Sequence, residues 1–295
     1  MFGMKQNYLK SYSKINLFLN IWNKSKKTKL HNLYSIIFKT DLHDKIKVKK
    51  IFKQNDVIIF SGIFSKQVNK SKNSISQSLF ILRKKGFLKK NPKYQIKIEK
   101  KIPVFSGLGG SSSNASTLIK YFLKRKKISK KNLNYFSNKI GSDLRLFFES
   151  NQILQKSLTK YKNLNKKMIF YFIIIYPFFR CSTKEIYSKV NNYDKIKKLN
   201  FNNLNSKKKM VQNLKQSHNS LEKIAIKKFP KISKILAELK QLDNCEFSRL
   251  TGSGSACFGL FLTKKSAHLG LRKIKKNSLI IGVLLLNLFN FVFLW

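Results

Sequence analysis

Pro103-Val-Phe-Ser-Gly-Leu-Gly-Gly-Ser-Ser-Ser-Asn-Ala115 decides how the rest of the chain is read. Gly107, Gly109 and Gly110 permit positive φ and let backbone N–H groups approach an anion closely. Ser111, Ser112 and Ser113 add hydroxyl donors. A helix opening here contributes its unpaired N–H groups and the positive end of its dipole. Together these features describe a phosphate site. A Walker loop would need Gly-Lys-Ser/Thr at its end, and no Lys follows Gly110. The dinucleotide fingerprint would need a glycine at 112, which is Ser112. The His-Arg-Asp and Asp-Phe-Gly segments of protein kinases do not occur. Read alone, the segment also fits an ordinary glycine turn with a serine helix cap.

Outward from this turn, the sequence alternates between strand and helix patterns. Residues 94–98 predict a strand before it. A helix is expected over 112–124, burying Ala115, Leu118, Ile119 and Phe122. Upstream, Ile15, Leu17, Leu19 and Ile21 alternate with Asn16, Phe18 and Asn20, a period of two that predicts a strand within 8–22. Short strands are expected at 45–52 and 56–60. Ile75, Leu79, Leu82 and Phe87 predict a helix over 73–90, ending near Gly86. Downstream, 132–140 reads as a helix and the apolar run 168–176, ended by Pro177, as a buried strand. Residues 195–215 read as a loop or surface helix, and 225–242 as one helix. A second Gly/Ser turn, Gly252-Ser-Gly254, lies between strands expected at 245–250 and 256–262. The apolar periodicity lapses near 155–167, a plausible domain boundary.

The 295 residues carry 62 Lys plus Arg against 12 Asp plus Glu, a formal charge of +50. Clustered cations would suggest a nucleic-acid binder. Here the lysines are spread over the whole chain, and only six cations are Arg, the preferred reader of base edges. Lys, Asn, Ile and Phe all have A/T-rich codons, so compositional drift accounts for the mixture. Cys181, Cys245 and Cys257 show no CxxC spacing and suggest neither a disulfide framework nor a zinc site. The N-terminus lacks a signal-peptide core. Residues 277–295 carry no charge, yet the stretch is short for a membrane helix. A tail anchor, a buried final helix or strand, and an altered reading frame are the options, and the first is the least favoured.

The order Pro-x-x-x-Gly-Leu-Gly-Gly-Ser-Ser-Ser-Asn-Ala is similar to the phosphate loop of the GHMP kinases (galactokinase, homoserine kinase, mevalonate kinase, phosphomevalonate kinase). Its Ser-Ser-Asn-Ala ending resembles the branch that acts on a cytidine diphosphate derivative of methylerythritol. The resemblance covers roughly residues 8–263. It implies an α+β fold in two domains, a ribosomal-protein-S5-like N-terminal domain and a ferredoxin-like C-terminal domain. Their expected extents are 1–160 for the ATP-binding domain and 161–277 for the second, leaving 278–295 as an apolar tail.

The same resemblance implies roles. Ser13-Lys-Ile-Asn-Leu is similar to the family's Ala-Lys-x-Asn-Leu strand, which makes Lys14 the catalytic lysine and Asn16 a substrate contact. Ile140-Gly-Ser-Asp-Leu-Arg-Leu-Phe-Phe148 resembles Gly-Ala-Asp-Val-Pro-Phe-Phe, which makes Asp143 the catalytic base; by itself, Gly-Ser-Asp also describes a helix N-cap. Leu30-His31 stands where the family has Tyr-His, so His31 would bond the cytosine. Tyr187 would stack on that base, and Thr183 would touch substrate. Asn73 and Lys100 match positions near the adenine of ATP. Pro103 would also bind ATP, and the loop of Gly107, Leu108, Gly109, Gly110, Ser111, Ser112 and Ser113 would hold its β-phosphate. Gly252, Ser253 and Gly254 match the third family motif and would line the substrate pocket. Asn219-Ser-Leu-Glu222 resembles Asn-Asp-Leu-Glu, with Ser220 in place of Asp.

The implied activity is ATP-dependent phosphorylation of the 2-hydroxyl of the diphosphocytidyl methylerythritol in isoprenoid precursor synthesis. Mg²⁺ would arrive with ATP, without a dedicated metal cage in the protein. A cytoplasmic monomer or homodimer is expected, without a specific nucleic-acid partner, and the apolar tail leaves membrane association open. Two other readings stand beside this one. Leu30 suggests a GHMP kinase with another alcohol, and the charge and tail suggest an inactive basic RNA-binding derivative. The drift reading makes a prediction. RNA should bind weakly, without sequence preference, and ever more weakly as salt rises. A filter-binding titration that finds a particular RNA held at nanomolar affinity in about 0.15 M salt would overturn it.

Overall fold

A computed structural model of the chain describes residues 8–25, 30–124, 126–164, 168–195, 206–277 and 284–287. The chain forms two compact units that alternate along the sequence. The first comprises Met1–Ser13, Leu42–Val104 and Gly109–Ser150. The second comprises Lys14–Asp41, Phe105–Leu108 and Asn151–Trp295. Two long strands, β1 (Leu9–Lys24) and β2 (His31–Ile51), pair with each other and contribute to both.

In the first unit, residues 45–51 of β2 pair antiparallel with β4 (Lys93–Glu99), which runs parallel to β3 (Val57–Ser61). Against them lie α1 (Ser74–Lys84), α2 (Gly110–Leu123) and α3 (Lys130–Ile140), followed by a 3-10 helix, Ser142–Phe148. The expected apolar stripes are buried: Ile75, Leu79 and Leu118 pack with Ile46, Ile96 and Ile98. Ala115 and Ile119 pack with Ile81, Leu82, Phe136 and Leu144. Phe122, expected inside, is only partly buried and packs at the edge of both clusters. Asn73 caps α1, its side-chain oxygen accepting from Ile75 N–H and Ser76 N–H, as an N-cap residue does.

In the second unit, residues 35–38 of β2 pair with β5 (Gln152–Gln155), which pairs with β6 (Tyr161–Asn163). The chain then runs through β7 (Tyr171–Tyr176), the helices α4 (Thr183–Ser188), α5 (Lys207–Lys215), α6 (Glu222–Lys228) and α7 (Lys231–Lys240), the strands β8 (Phe247–Leu250) and β9 (Cys257–Phe261), α8 (Lys264–Asn277), and β10 (Leu284–Asn287). The four strands lie in the order β10-β7-β9-β8, every pair antiparallel. Strand, helices, two strands, helix, strand in that order is the ferredoxin-like arrangement. Its core joins Ile173 and Ile175 to Ile232, Ile235, Leu239, Phe261 and Leu271. Residues 284–287 of the apolar tail thus form the sheet's edge strand; the rest of 278–295 lies outside the described residues. Among the described residues, no helix is long and apolar enough to cross a membrane.

Several expected boundaries shift, each for a local reason. The strand expected at 45–52 is the end of a 21-residue strand. The helix expected over 225–242 is two helices. Pro230 lacks an N–H, and Phe229 before it adopts φ −132°, ψ 82°, the extended bias that proline imposes on its predecessor. Met168 and Phe170 are buried, but the strand begins only at Tyr171. Of the segment 195–215, α5 is more than a surface helix, because Met210, Val211 and Leu214 are buried. The cap before Asp143 is Gly141, so Asp143 lies inside the 3-10 helix and is not its N-cap.

One buried cation ties β8 to the rest of the second unit. The Arg249 guanidinium donates to the carbonyls of Leu17 (2.5 Å), Leu214 (3.0 Å) and Ser217 (2.7 Å). Its planar fork holds these three carbonyls in a fixed geometry. Burial lowers its pKa to about 10 against the opposing pull of Glu222, so it stays charged at neutral pH. Arg249→Met leaves these carbonyls without their donor and should destabilise the protein by about 3 kcal/mol or more, with Arg249→Lys recovering little. Urea unfolding of both variants checks this; a loss under about 0.5 kcal/mol, typical of surface changes, would rule out the clamp.

Candidate active site

In the second unit the two glycine turns meet backbone to backbone. A Cβ built on Gly107 would lie 2.1 Å from the carbonyl oxygen of Thr251. Gly107 has φ +78°, so a side chain there is excluded both by space and by conformation. Ala256 N–H donates to Ser106 carbonyl at 3.1 Å. Asn219, 3% exposed, holds the second turn from the other side: its amide donates to the carbonyls of Leu250 and Gly252, both at 2.8 Å. In the sequence Asn219 stands out only as part of a four-residue motif; its role as a brace comes from these bonds.

Lys14 stands at the same junction. Its N–H donates to Leu108 carbonyl at 3.0 Å. Its ammonium donates to Asn16 Oδ1 at 2.5 Å and lies 3.2 Å from where a Cβ on Gly252 would be. Asn16 is fixed in turn, its amide donating to Ser35 Oγ (2.9 Å) and its N–H to Thr251 Oγ1 (3.1 Å). Lys14 is 4% exposed and Asn16 3%. A lysine this buried is not one solvated cation among many; a charged group out of water needs partners.

The start of α4 is joined to the second turn. Thr183 Oγ1 lies 3.0 Å from Ser253 Oγ, and the Cys181 thiol donates to Ser253 carbonyl at 3.0 Å. Burial pushes the Cys181 thiol up to about 11, which keeps it a protonated donor. Along α4, the Tyr187 ring centroid lies 5.5 Å from that of His31 at 40°. His31 is 9% exposed. Burial, then the Lys24 cation, lower its pKa from the usual value. At neutral pH it is therefore the neutral imidazole, with one donor and one acceptor nitrogen. Leu30 beside it is exposed.

The first unit holds the other half of the glycine loop. Gly109 is the N-cap of α2, with φ +73°, and no side chain caps this helix end. Ser111 is exposed and Ser112 half-buried. The Ser113 hydroxyl, 1% exposed, donates to Tyr12 carbonyl at 2.6 Å and lies 2.8 Å from Ser11 Oγ. These contacts tie the start of α2 to β1. Gly110 packs on Ile102, whose side chain a Cβ would meet at 2.8 Å. Asp143 is half-buried in the 3-10 helix, ahead of buried Leu144, Arg145, Leu146 and Phe147. That helix packs against α2, with Ser112 Oγ 3.6 Å from a Cβ built on Gly141.

Behind the loop lies a carboxylate that the sequence pattern did not reveal. Asp44, fully buried, accepts from Lys101 N–H (2.6 Å) and Ile102 N–H (2.8 Å) and pairs with the Lys100 ammonium. Lys100 N–H donates to Ser61 carbonyl at 2.7 Å. The Lys100 side chain is thus engaged with Asp44, and the Asn73 side chain with the start of α1. Pro103 is buried just after this anchor. Among the described residues, no group of three or more His, Cys, Asp or Glu side chains could hold a metal ion.

Comparison with known proteins converges on these segments. Residues 73–145 match the family model of the GHMP kinases N terminal domain, and residues 196–278 that of the GHMP kinases C terminal. The chain is 39% identical over 270 residues to the 4-diphosphocytidyl-2-C-methyl-D-erythritol kinase of Pelagibacter ubique, covering 91% of this chain and 94% of that one. The enzyme of the same name from Anaplasma marginale is 28% identical over 281 residues, covering 93% and 95%. Among solved structures, a 4-(cytidine 5'-diphospho)-2C-methyl-D-erythritol kinase superposes with a TM-score of 0.69 at 20% identity, covering 92% of this chain and 96% of that one. With the first glycine loop, the second glycine turn and this likeness along nearly its whole length, the chain belongs to the GHMP kinase family.

Proposed function

We propose that the protein transfers the γ-phosphoryl group of ATP to the 2-hydroxyl of 4-diphosphocytidyl-2-C-methyl-D-erythritol. The observation that carries this reading is the 39% identity to a kinase of that name over 91% of the chain. The residue geometry supports it. A glycine loop runs into an uncapped helix N-terminus, which suits the β-phosphate of ATP. Gly107, Gly109 and Gly110 bring backbone N–H groups to the phosphates, and Ser111 and Ser112 add hydroxyls. Pro103, Leu108, Ser113, Asn73 and Lys100 shape this site from behind. Mg²⁺ bound with the nucleotide would supply neutralisation of the phosphate charge.

Asp143 takes the proton of the attacking hydroxyl. Lys14 stabilises the charge that develops on the transferring group, while Asn16 holds its ammonium in place. Phosphoryl transfer depends mainly on such positioning and charge neutralisation. Thr183, Gly252, Ser253 and Gly254 line the methylerythritol end of the substrate. Neutral His31 presents a donor and an acceptor to the cytosine edge, and Tyr187 stacks on its face.

Two outcomes are expected. Gly107→Ala forces a side chain into the Thr251 carbonyl, so ATP affinity should fall at least about tenfold, in line with the strain of a forbidden positive φ and a backbone clash. A calorimetric titration that finds ATP bound as tightly as by the wild type would remove this loop from the phosphate site. For the catalytic pair, Asp143→Asn and Lys14→Ala should each lower single-turnover transfer at least about 100-fold, since base catalysis and electrostatic stabilisation each contribute about that much or more. The double variant should lose far less than the product of the two losses, because residues acting as a unit are not additive. Near-wild-type turnover in Asp143→Asn would exclude it as the base, and fully multiplying losses would exclude the coupling.

A further inference from the structure

The nucleobase end of the site is where the sequence leaves the family pattern, with Leu30 in the place of Tyr. Leu30 is 46% exposed. The second unit nevertheless brings two tyrosine rings to His31. Besides Tyr187, the ring of Tyr193 has its centroid 6.2 Å from that of His31, at 41°. The two tyrosines thus meet the imidazole at closely similar distances and tilts. Tyr193 itself is 44% exposed, so an aromatic face is left open beside a buried histidine.

Tyr193 lies outside any helix or strand, but its neighbour fixes it. Asp194 N–H donates to Ile21 carbonyl at 2.7 Å, and Asp194 Oδ2 accepts from Ile21 N–H at 2.9 Å. The same carboxylate accepts from the Ser220 hydroxyl, and its other oxygen lies 2.9 Å from His218 Nε2. Ile21 is on β1, the partner of β2, and His31 opens β2. The hairpin that carries His31 therefore also holds the residue next to Tyr193. An exposed tyrosine anchored in this way has lost backbone freedom before any ligand arrives, which favours its use as a stacking surface.

We propose that Tyr193 is a second aromatic wall of the base site, stacking on the pyrimidine of a cytidine diphosphate ligand and supplying the ring that Leu30 lacks. This rests on the placement of the base at His31 and Tyr187 proposed above. Stacking does not depend on which pyrimidine is present, whereas hydrogen bonding at His31 does. Tyr193 should therefore set affinity and not the preference of cytidine over uridine.

The test is calorimetric titration of cytidine 5′-diphosphate and uridine 5′-diphosphate into the full chain and its variants. Tyr193→Leu should weaken both ligands by about three- to tenfold with their ratio unchanged, and Tyr193→Phe should stay within about twofold. In steady-state assays Tyr193→Leu should raise KM for the cytidine substrate without lowering kcat, the signature of uniform binding. Leu30→Tyr should add little to the wild type but recover most of the loss in the Tyr193→Leu background. If Tyr193→Leu binds cytidine diphosphate normally while Tyr187→Leu does not, the proposal falls and the base site stands. If both leave the affinity unchanged, the base site is misplaced and the proposal falls with it. An equal gain from Leu30→Tyr in both backgrounds would also overturn it, since the two rings would then not replace each other.

Discussion

The carbonyl oxygen of Thr251 occupies the space in which a side chain at position 107 would begin. Nearly everything proposed for the site depends on that contact. It lets one glycine turn lie directly on the other, so the loop ahead of α2 is supported by backbone and not by mobile side chains. The bond from Ala256 N–H to Ser106 carbonyl closes the contact on one side. The Asn219 amide, donating into the second turn, closes it on the other. Lys14 is drawn into the same frame through Leu108 carbonyl. A loop that must present N–H groups to phosphate gains from this arrangement, because its donors need no reorganisation when charge develops.

How much of this was legible depends on whether the cause was local. The glycine turns, β1, α1 and α2 announce themselves because their spacing reflects nearby backbone requirements: positive φ, a period of two, a helical stripe. β2 showed only its end, at 45–52, and its content explains why. From Lys39 to Lys45 it carries Lys, Thr, Asp and His around a single apolar residue, Leu42, which interrupts the pattern before that end. Asp44 was hidden for that reason. It lies inside the strand and acts on Lys101 N–H and Ile102 N–H, far away in sequence. The break at Pro230 was legible from proline chemistry but was outweighed by the helical stripe on both sides. β10 was ambiguous because an apolar run has no periodicity, and only its pairing with β7 identifies it as a strand. Tyr193 carried no motif at all.

The charge imbalance takes on a different sense once the acids are located. Asp44 receives two backbone N–H groups and an ammonium. Asp56 receives both arms of Arg83 and Tyr94 N–H. Asp194 receives Ile21 N–H and Ser220. Glu222 receives Leu250 N–H, although burial raises its pKa. At each of these places the carboxylate accepts from a backbone donor, which a lysine ammonium cannot do. On an open surface, by contrast, a carboxylate paired with lysine contributes little, since water serves both partners nearly as well.

Four of the twelve acids thus act as acceptors of backbone N–H groups inside this fold. The same reasoning bears on Asp143. Its half-buried position ahead of Leu144, Leu146 and Phe147, in a helix packed on α2, gives a carboxylate little solvent to lean on. A charged group out of water is costly unless fixed partners compensate it. Lys14 is buried on its own strand under the matching constraint, its ammonium held by Asn16. A cation fixed before the reaction needs no reorganisation as charge develops, which is what the role proposed for Lys14 requires.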